Sequence, residues 1–217
     1  MATSDAIIIG EDWISEHYFT TDAKSESFQS EALKLRKTWD EAKAEGHATV
    51  RSRFLEARGG LETAMANLAE SPTAVTDIYA TLRRVFGYEG GTSAVDRTGP
   101  VLAIRDAWAT EGAGLLLVEA KPVDTIDDLL QKESVSLLEP FHLDDKTTLT
   151  SAARTLSALF LQENSPQLIV VLAGRWALLA ERERWAEGRY AAIDLQLICE
   201  RKDDKKGGEI DRALAML

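Results

Sequence analysis

The apolar positions change their period near residue 100. Before it they fall at helical spacing. Phe28, Ala32, Leu35 and Trp39 follow one another at i, i+4, i+7 and i+11, which is one face of a helix. Val50, Phe54, Leu55, Leu61, Met65 and Leu68 predict one or two further helices around a break at Gly59-Gly60. Ser71-Pro72-Thr73 opens another, with Thr73 as its cap and Val75, Ile78, Tyr79, Leu82 and Phe86 as its apolar stripe. Ile7, Ile8 and Ile9 before Gly10 predict one short strand ahead of these helices. Residues 1–90 therefore predict a helical layer or subdomain. The Gly-rich, polar stretch 87–99 predicts a loop or hinge.

After residue 100 the pattern becomes extended. Residues 101–110, 115–121, 176–181 and 190–199 predict strands. The unbroken apolar run Leu168–Ala173 predicts a strand buried on both faces. A tight turn at Gly174-Arg175 joins it to the next strand. Residues 145–161 predict a helix with Leu149, Ala152, Leu156, Leu159 and Phe160 inward, and residues 208–217 a final amphipathic helix. The expected fold class is α/β (α+β): a mixed sheet over residues 100–217 flanked by helices, forming one compact unit with the N-terminal layer. The abrupt end of the last helix suggests a piece of a longer polypeptide.

One segment, VLAIRDAWATEGAGLLLVEAKPV from Val101 to Val123, has the makings of chemistry. If Gly112 and Ala113 form a two-residue hairpin loop, facing residue numbers sum to 225. Asp106 then faces Glu119 and Trp108 faces Leu117, while Lys121 shares the face of Glu119 through the two-residue period. Two carboxylates and a lysine suit metal-assisted phosphodiester hydrolysis. Asp106 and Glu119 would hold Mg²⁺, and Lys121 would act on the attacking water. The alternative is a solvent-facing strand pair with a cross-strand ion pair. A second acid–basic pair, Glu200-Arg201-Lys202, ends the predicted strand 190–199 and has no facing acid.

Composition narrows the classes. The net charge is −11, which weighs against tight nucleic-acid binding by this chain alone, because such affinity comes from cations that neutralise phosphates. The single cysteine, Cys199, excludes an internal disulfide, and no apolar run is long enough to span a bilayer. The acidic start MATSDAIIIGEDW is unlike a signal peptide, so the cytoplasm is the expected compartment. There is no P-loop, no G-x-G-x-x-G after a strand, no G-x-S-x-G elbow and no zinc spacing among His17, His47 and His142.

Asp106, a hairpin and then Glu119-Ala120-Lys121 resemble the PD-(D/E)xK nuclease signature, although Ile104-Arg105 replace the proline that usually precedes the aspartate. The resemblance widens with GEDWISEHYFTTDAKSESF, LIVVLAGRWALLAERERWAEGRY and AAIDLQLICERKDDKKGGEIDRAL. These look like the N-terminal region of bacterial restriction–modification polypeptides and of related phage-defence methyltransferases of the BREX and PglX kind. It implies a restriction-endonuclease-like fold, DNA as a partner through the full-length protein, and a downstream adenine methyltransferase domain. Asn-Pro-Pro-Tyr and Phe-x-Gly-x-Gly are both absent, so this chain alone is expected neither to bind S-adenosylmethionine nor to methylate. The resemblance leaves two readings open. One is a Mg²⁺-dependent endonuclease domain; the other is a catalytically inactive module of the same fold that docks the methyltransferase, DNA or a defence partner.

Overall fold

The computed structural model describes residues 5–15, 18, 27–89, 93–106 and 113–217, with the side chain of residue 106 outside that description. The helical stripes of the N-terminal third form α1 (Phe28–Ala44), α2 (Val50–Ala66) and α3 (Val75–Phe86). Ser27 caps α1 by accepting from the Ser30 amide, and Thr49 closes a capping box with Ser52 on α2. The expected break at Gly59-Gly60 is absent: α2 runs through both glycines. Each costs about 1 kcal/mol of helix propensity relative to alanine. Burial of Phe54, Leu61 and Met65 on the same helix offsets that cost. Before α3, Pro72–Ala74 form one 3₁₀ turn, and the residue at the helix cap is Ala74 rather than Thr73.

Seven strands make one sheet. They are β1 (Ile7–Gly10), β2 (Ser93–Thr98), β3 (Val101–Asp106), β4 (Leu115–Glu119), β7 (Leu168–Ala173), β8 (Trp176–Glu181) and β9 (Tyr190–Asp194). Across the sheet they run in the order β1, β9, β8, β7, β4, β3, β2, and every neighbouring pair is antiparallel except β4 and β7. A parallel pair needs a crossover. Here residues 120–167 supply it, with α4 (Ile126–Leu130), the small ribbon of β5 (Phe141–His142) and β6 (Thr148–Leu149), and α5 (Ala152–Phe160). After β8 come α6 (Arg182–Trp185) and, beyond β9, α7 (Leu195–Arg201) and α8 (Glu209–Met216). The mixed sheet flanked by helices agrees with the α/β expectation.

Alternation along the strands sends side chains into two cores. Leu102, Ile104, Leu117, Val170, Leu172, Leu179 and Ile193 meet α2, α3, α7 and α8 on one face. Val101, Val118, Ile169, Val171 and Leu178 meet α4 and α5 on the other. Residues from both expected parts of the chain thus share the first core, and β1 completes the sheet edge beside β9. Among the described residues no helix is long and apolar enough to cross a membrane.

Three expectations are corrected. The stretch 87–99 is not all loop, because Ser93–Thr98 pair with β3 as an edge strand. Its exposed, charged sequence SAVDRT suits an edge, where charge discourages further pairing, and so hides the strand from a hydrophobic pattern. The strand predicted over 190–199 stops at Asp194, whose carboxylate accepts from the Leu197 amide and starts α7. The helix predicted from 145 begins only after Ser151, which accepts from the Arg154 amide.

Candidate functional site

The hairpin register differs from the sequence reading. Facing residues of β3 and β4 sum to 219, with Val101 opposite Val118 and Leu102 opposite Leu117. The Gly114 amide donates to the Ile104 carbonyl at 3.0 Å at the hairpin end. The supposed Gly112-Ala113 loop and Trp108 lie in or next to residues 107–112, outside the described residues. The shift is even, so every apolar residue keeps its sheet face; a shift by one would have turned Leu102, Ile104 and Leu117 out of the core. Hydrophobic alternation fixes the face but cannot count ladder steps, and this is why the sequence register failed.

The consequence falls on Asp106. Its backbone pairs with Ser93 at the far end of β3. The Glu119 amide instead donates to the Pro100 carbonyl at 2.8 Å. Six residues of strand at about 3.3 Å each separate position 106 from Pro100, roughly 20 Å. The backbone register therefore does not bring the Asp106 position to Glu119.

Glu119 is buried at the end of β4, with 3 % of its surface exposed. Two-residue alternation puts it on the face of Leu115 and Leu117, beneath α3. A carboxylate there must be paired, since an isolated buried charge is too costly to keep. Arg83 of α3 donates Nη1 to Oε1, and Arg97 of β2 donates Nη1 to Oε2 at 2.9 Å. Arg83 also reaches the Glu89 carboxylate with Nε at 2.9 Å. Both oxygens of Glu119 are thus engaged by guanidinium groups.

Lys121 lies past the isolated bridge between Ala120 and Leu137, with its amide donating to the Ser136 carbonyl at 2.7 Å. Its side chain is exposed and has no hydrogen bond or ion pair among the described residues. Glu119 and Lys121 are therefore two residues apart in sequence but differ in environment, one buried in an ion-pair cluster and the other at the surface.

Behind this strand end, Tyr79 ties three elements together. Its hydroxyl donates to the Ala120 carbonyl and accepts from the Gly174 amide, each at 2.6 Å. Burial raises the phenol's pKa well above the usual tyrosine range, and the charge of Glu119 adds to the shift. Gly174 sits in the β7–β8 turn with φ +67°, and a Cβ there would lie 2.9 Å from Pro122. The next residue, Arg175, pairs with Asp194 through Nε at 3.0 Å and through Nη2, and lies 5.7 Å from the Trp176 ring.

The sequence reading missed Arg83, Arg97 and Tyr79. Nothing local marks them: Arg83 reads as a basic residue in the last turn of a helix, and Arg97 lies in a stretch that looked like loop. The second candidate, Glu200-Arg201-Lys202, ends α7: Arg201 pairs with Glu209 at 2.7 Å and Asp5 at 3.1 Å, and Lys202, just past the helix, pairs with Glu62 at 3.0 Å.

Glu119, as it is placed, does not fit a Mg²⁺ site, and the side chain of Asp106 lies outside the described residues. Each oxygen of the Glu119 carboxylate already accepts from a guanidinium, so a hard cation there would sit against two positive charges with no second acid beside it among the described side chains. Among the described residues no cluster of three or more His, Cys, Asp or Glu side chains could hold a metal ion. No family model matches the chain, and neither a curated protein nor a solved structure matches it significantly.

Proposed function

We propose that this chain is a non-cutting, nuclease-like module of a bacterial restriction–modification or phage-defence polypeptide, serving to dock the methyltransferase part of that polypeptide. Support for the nuclease-like frame comes from the order of its elements. The antiparallel meander β2-β3-β4 is followed by a helical crossover and by β7, parallel to β4. Glu119-Ala120-Lys121 sit at the end of the meander's third strand. The observation that carries the non-cutting reading is the engagement of both Glu119 oxygens by Arg83 and Arg97. Arginines here stand where a cutting site needs a cation.

The test is plasmid nicking by the full-length polypeptide with Mg²⁺ or Mn²⁺, beside Glu119→Gln and Lys121→Ala. No divalent-dependent nicking is expected from any of the three. Nicking that vanishes in a folded Glu119→Gln protein would overturn the reading. It would favour a second one, a Mg²⁺-dependent endonuclease in which DNA phosphates draw Arg97 away. The observation favouring that alternative is the 44 % exposure of the Arg97 side chain.

A further inference from the structure

A cleft of about 900 Å³ opens between the end of α2, the Pro72–Ala74 turn and the chain that follows Glu119. Its back wall is apolar, formed by the buried side chains of Met65, Leu68 and Val75. Lys121, Arg175 and Asp124 supply the charges on its lining. Lys121 has no partner among the described residues. Arg175 commits Nε and Nη2 to Asp194, while its Nη1 donates to no described residue. Asp124 is an exposed acceptor on the same lining. Its carbonyl accepts from the Trp176 indole at 3.3 Å, and that same indole ring lies against Arg175.

A concave apolar wall with a few charged groups is the usual form of a small-molecule site, and this volume is within the usual size range. The chemistry is asymmetric. Lys121, unpaired among the described residues, and the N–H groups that Arg175 keeps beyond its pair with Asp194 call for a phosphate-like acceptor, the acid for a hydrogen-bond donor, and the wall for a flat or apolar body between them. We propose that this cleft binds a mononucleotide, with its phosphate on Lys121 and Arg175, its base on the apolar wall and an exocyclic amine toward Asp124. The site would give a chain of net charge −11 a local place for an anion. It stands on the cleft's lining and does not depend on whether Glu119 takes part in cutting.

Calorimetric titration of the chain with AMP and with inorganic phosphate tests it. Saturable AMP binding is expected, accompanied by a change in Trp176 fluorescence that Trp176→Phe removes. Inorganic phosphate should bind at least about tenfold more weakly, because it leaves the apolar wall bare. Lys121→Glu replaces a charge-assisted contact with repulsion, and so should weaken AMP by about tenfold or more. Thr76→Trp, at an exposed position on the lining, should block the cleft to a similar degree. A 5′-phosphorylated dinucleotide that binds more tightly than AMP would identify the ligand as a strand end; AMP binding more tightly would identify a free nucleotide. The proposal is overturned if AMP gives no saturable heat, or if folded Lys121→Glu binds it within about twofold of the parent chain.

Discussion

Two buried carboxylates, Asp211 and Glu119, are each held by two arginines, yet they close different parts of the molecule. Asp211, on α8, has no exposed surface. Arg51 reaches its Oδ1 at 2.9 Å, Arg36 reaches Oδ2 at 3.0 Å, and the Gly207 amide donates to it at 2.9 Å. Arg51 is nearly buried and Arg36 largely so, its Nε also reaching the half-exposed Asp40, so the cluster is dry at Asp211 and Arg51 and joins α1, α2 and α8. Glu119 is as deep, but one of its partners, Arg97, stands half in water on an edge strand. A dry cluster loses most when broken, because each remaining charge has no water to turn to. A cluster with one wet member can exchange that member for solvent or for another anion at small cost. The first is a structural joint. The second is the more adaptable of the two, and it lies beside the cleft proposed above.

The sharpest break in this comparison is Asp211→Ala. It leaves the nearly buried Arg51 without a carboxylate, while Arg36 keeps Asp40, and should cost about 3 kcal/mol of unfolding free energy, read from urea midpoints. Glu119→Ala comes next, at about 2 kcal/mol, since Arg83 keeps Glu89 and Arg97 turns to solvent. A cost for Glu119→Ala equal to that of Asp211→Ala would erase the distinction drawn here. Arg97→Ala should change stability by about 1 kcal/mol, since Arg83 stays on the buried Glu119 and the lost partner is half exposed.

Cys199 offers a local reading of the same contrast. It is buried on α7 in the core shared with Ile210 and Leu214 of α8, and burial pushes its thiol up to about 12 from an ordinary 9.0. Alkylation at neutral pH should therefore be slow, faster in Asp211→Ala and unchanged in Arg97→Ala. The smallest effect is on pH dependence. A raised folded pKa gives stability that is complete below the ordinary value and is lost as pH rises through the folded one. The thiol's share should thus disappear between about pH 9 and 12, and Cys199→Ala should flatten that part of an alkaline unfolding curve.

Much of the fold was legible because burial imposes its period on the sequence. The strands Leu168–Ala173 and Trp176–Glu181 agree with the reading residue for residue, since both faces of each are covered and no other arrangement suits a continuous apolar run. The stripe from Val75 to Phe86 gave α3 for the same reason. Edge strand β2 was not legible, because a half-solvated strand with Asp96 and Arg97 carries no such period.

The candidate site divides along the same line. By itself the sequence determined which residues face the core, and that Glu119 and Lys121 lie two apart at the end of a predicted strand 115–121, which the structure stops at Glu119, because alternation is a local property of the chain. Only the tertiary structure decided the ladder count that separates Asp106 from Glu119, and the convergence of Arg83 and Arg97 on that carboxylate. Those depend on long-range pairing between elements 22 and 36 residues from Glu119, where a helix end and an edge strand meet one buried charge. No local pattern encodes that meeting, because its driving force, the need to neutralise a carboxylate taken out of water, exists only once the sheet has closed over it.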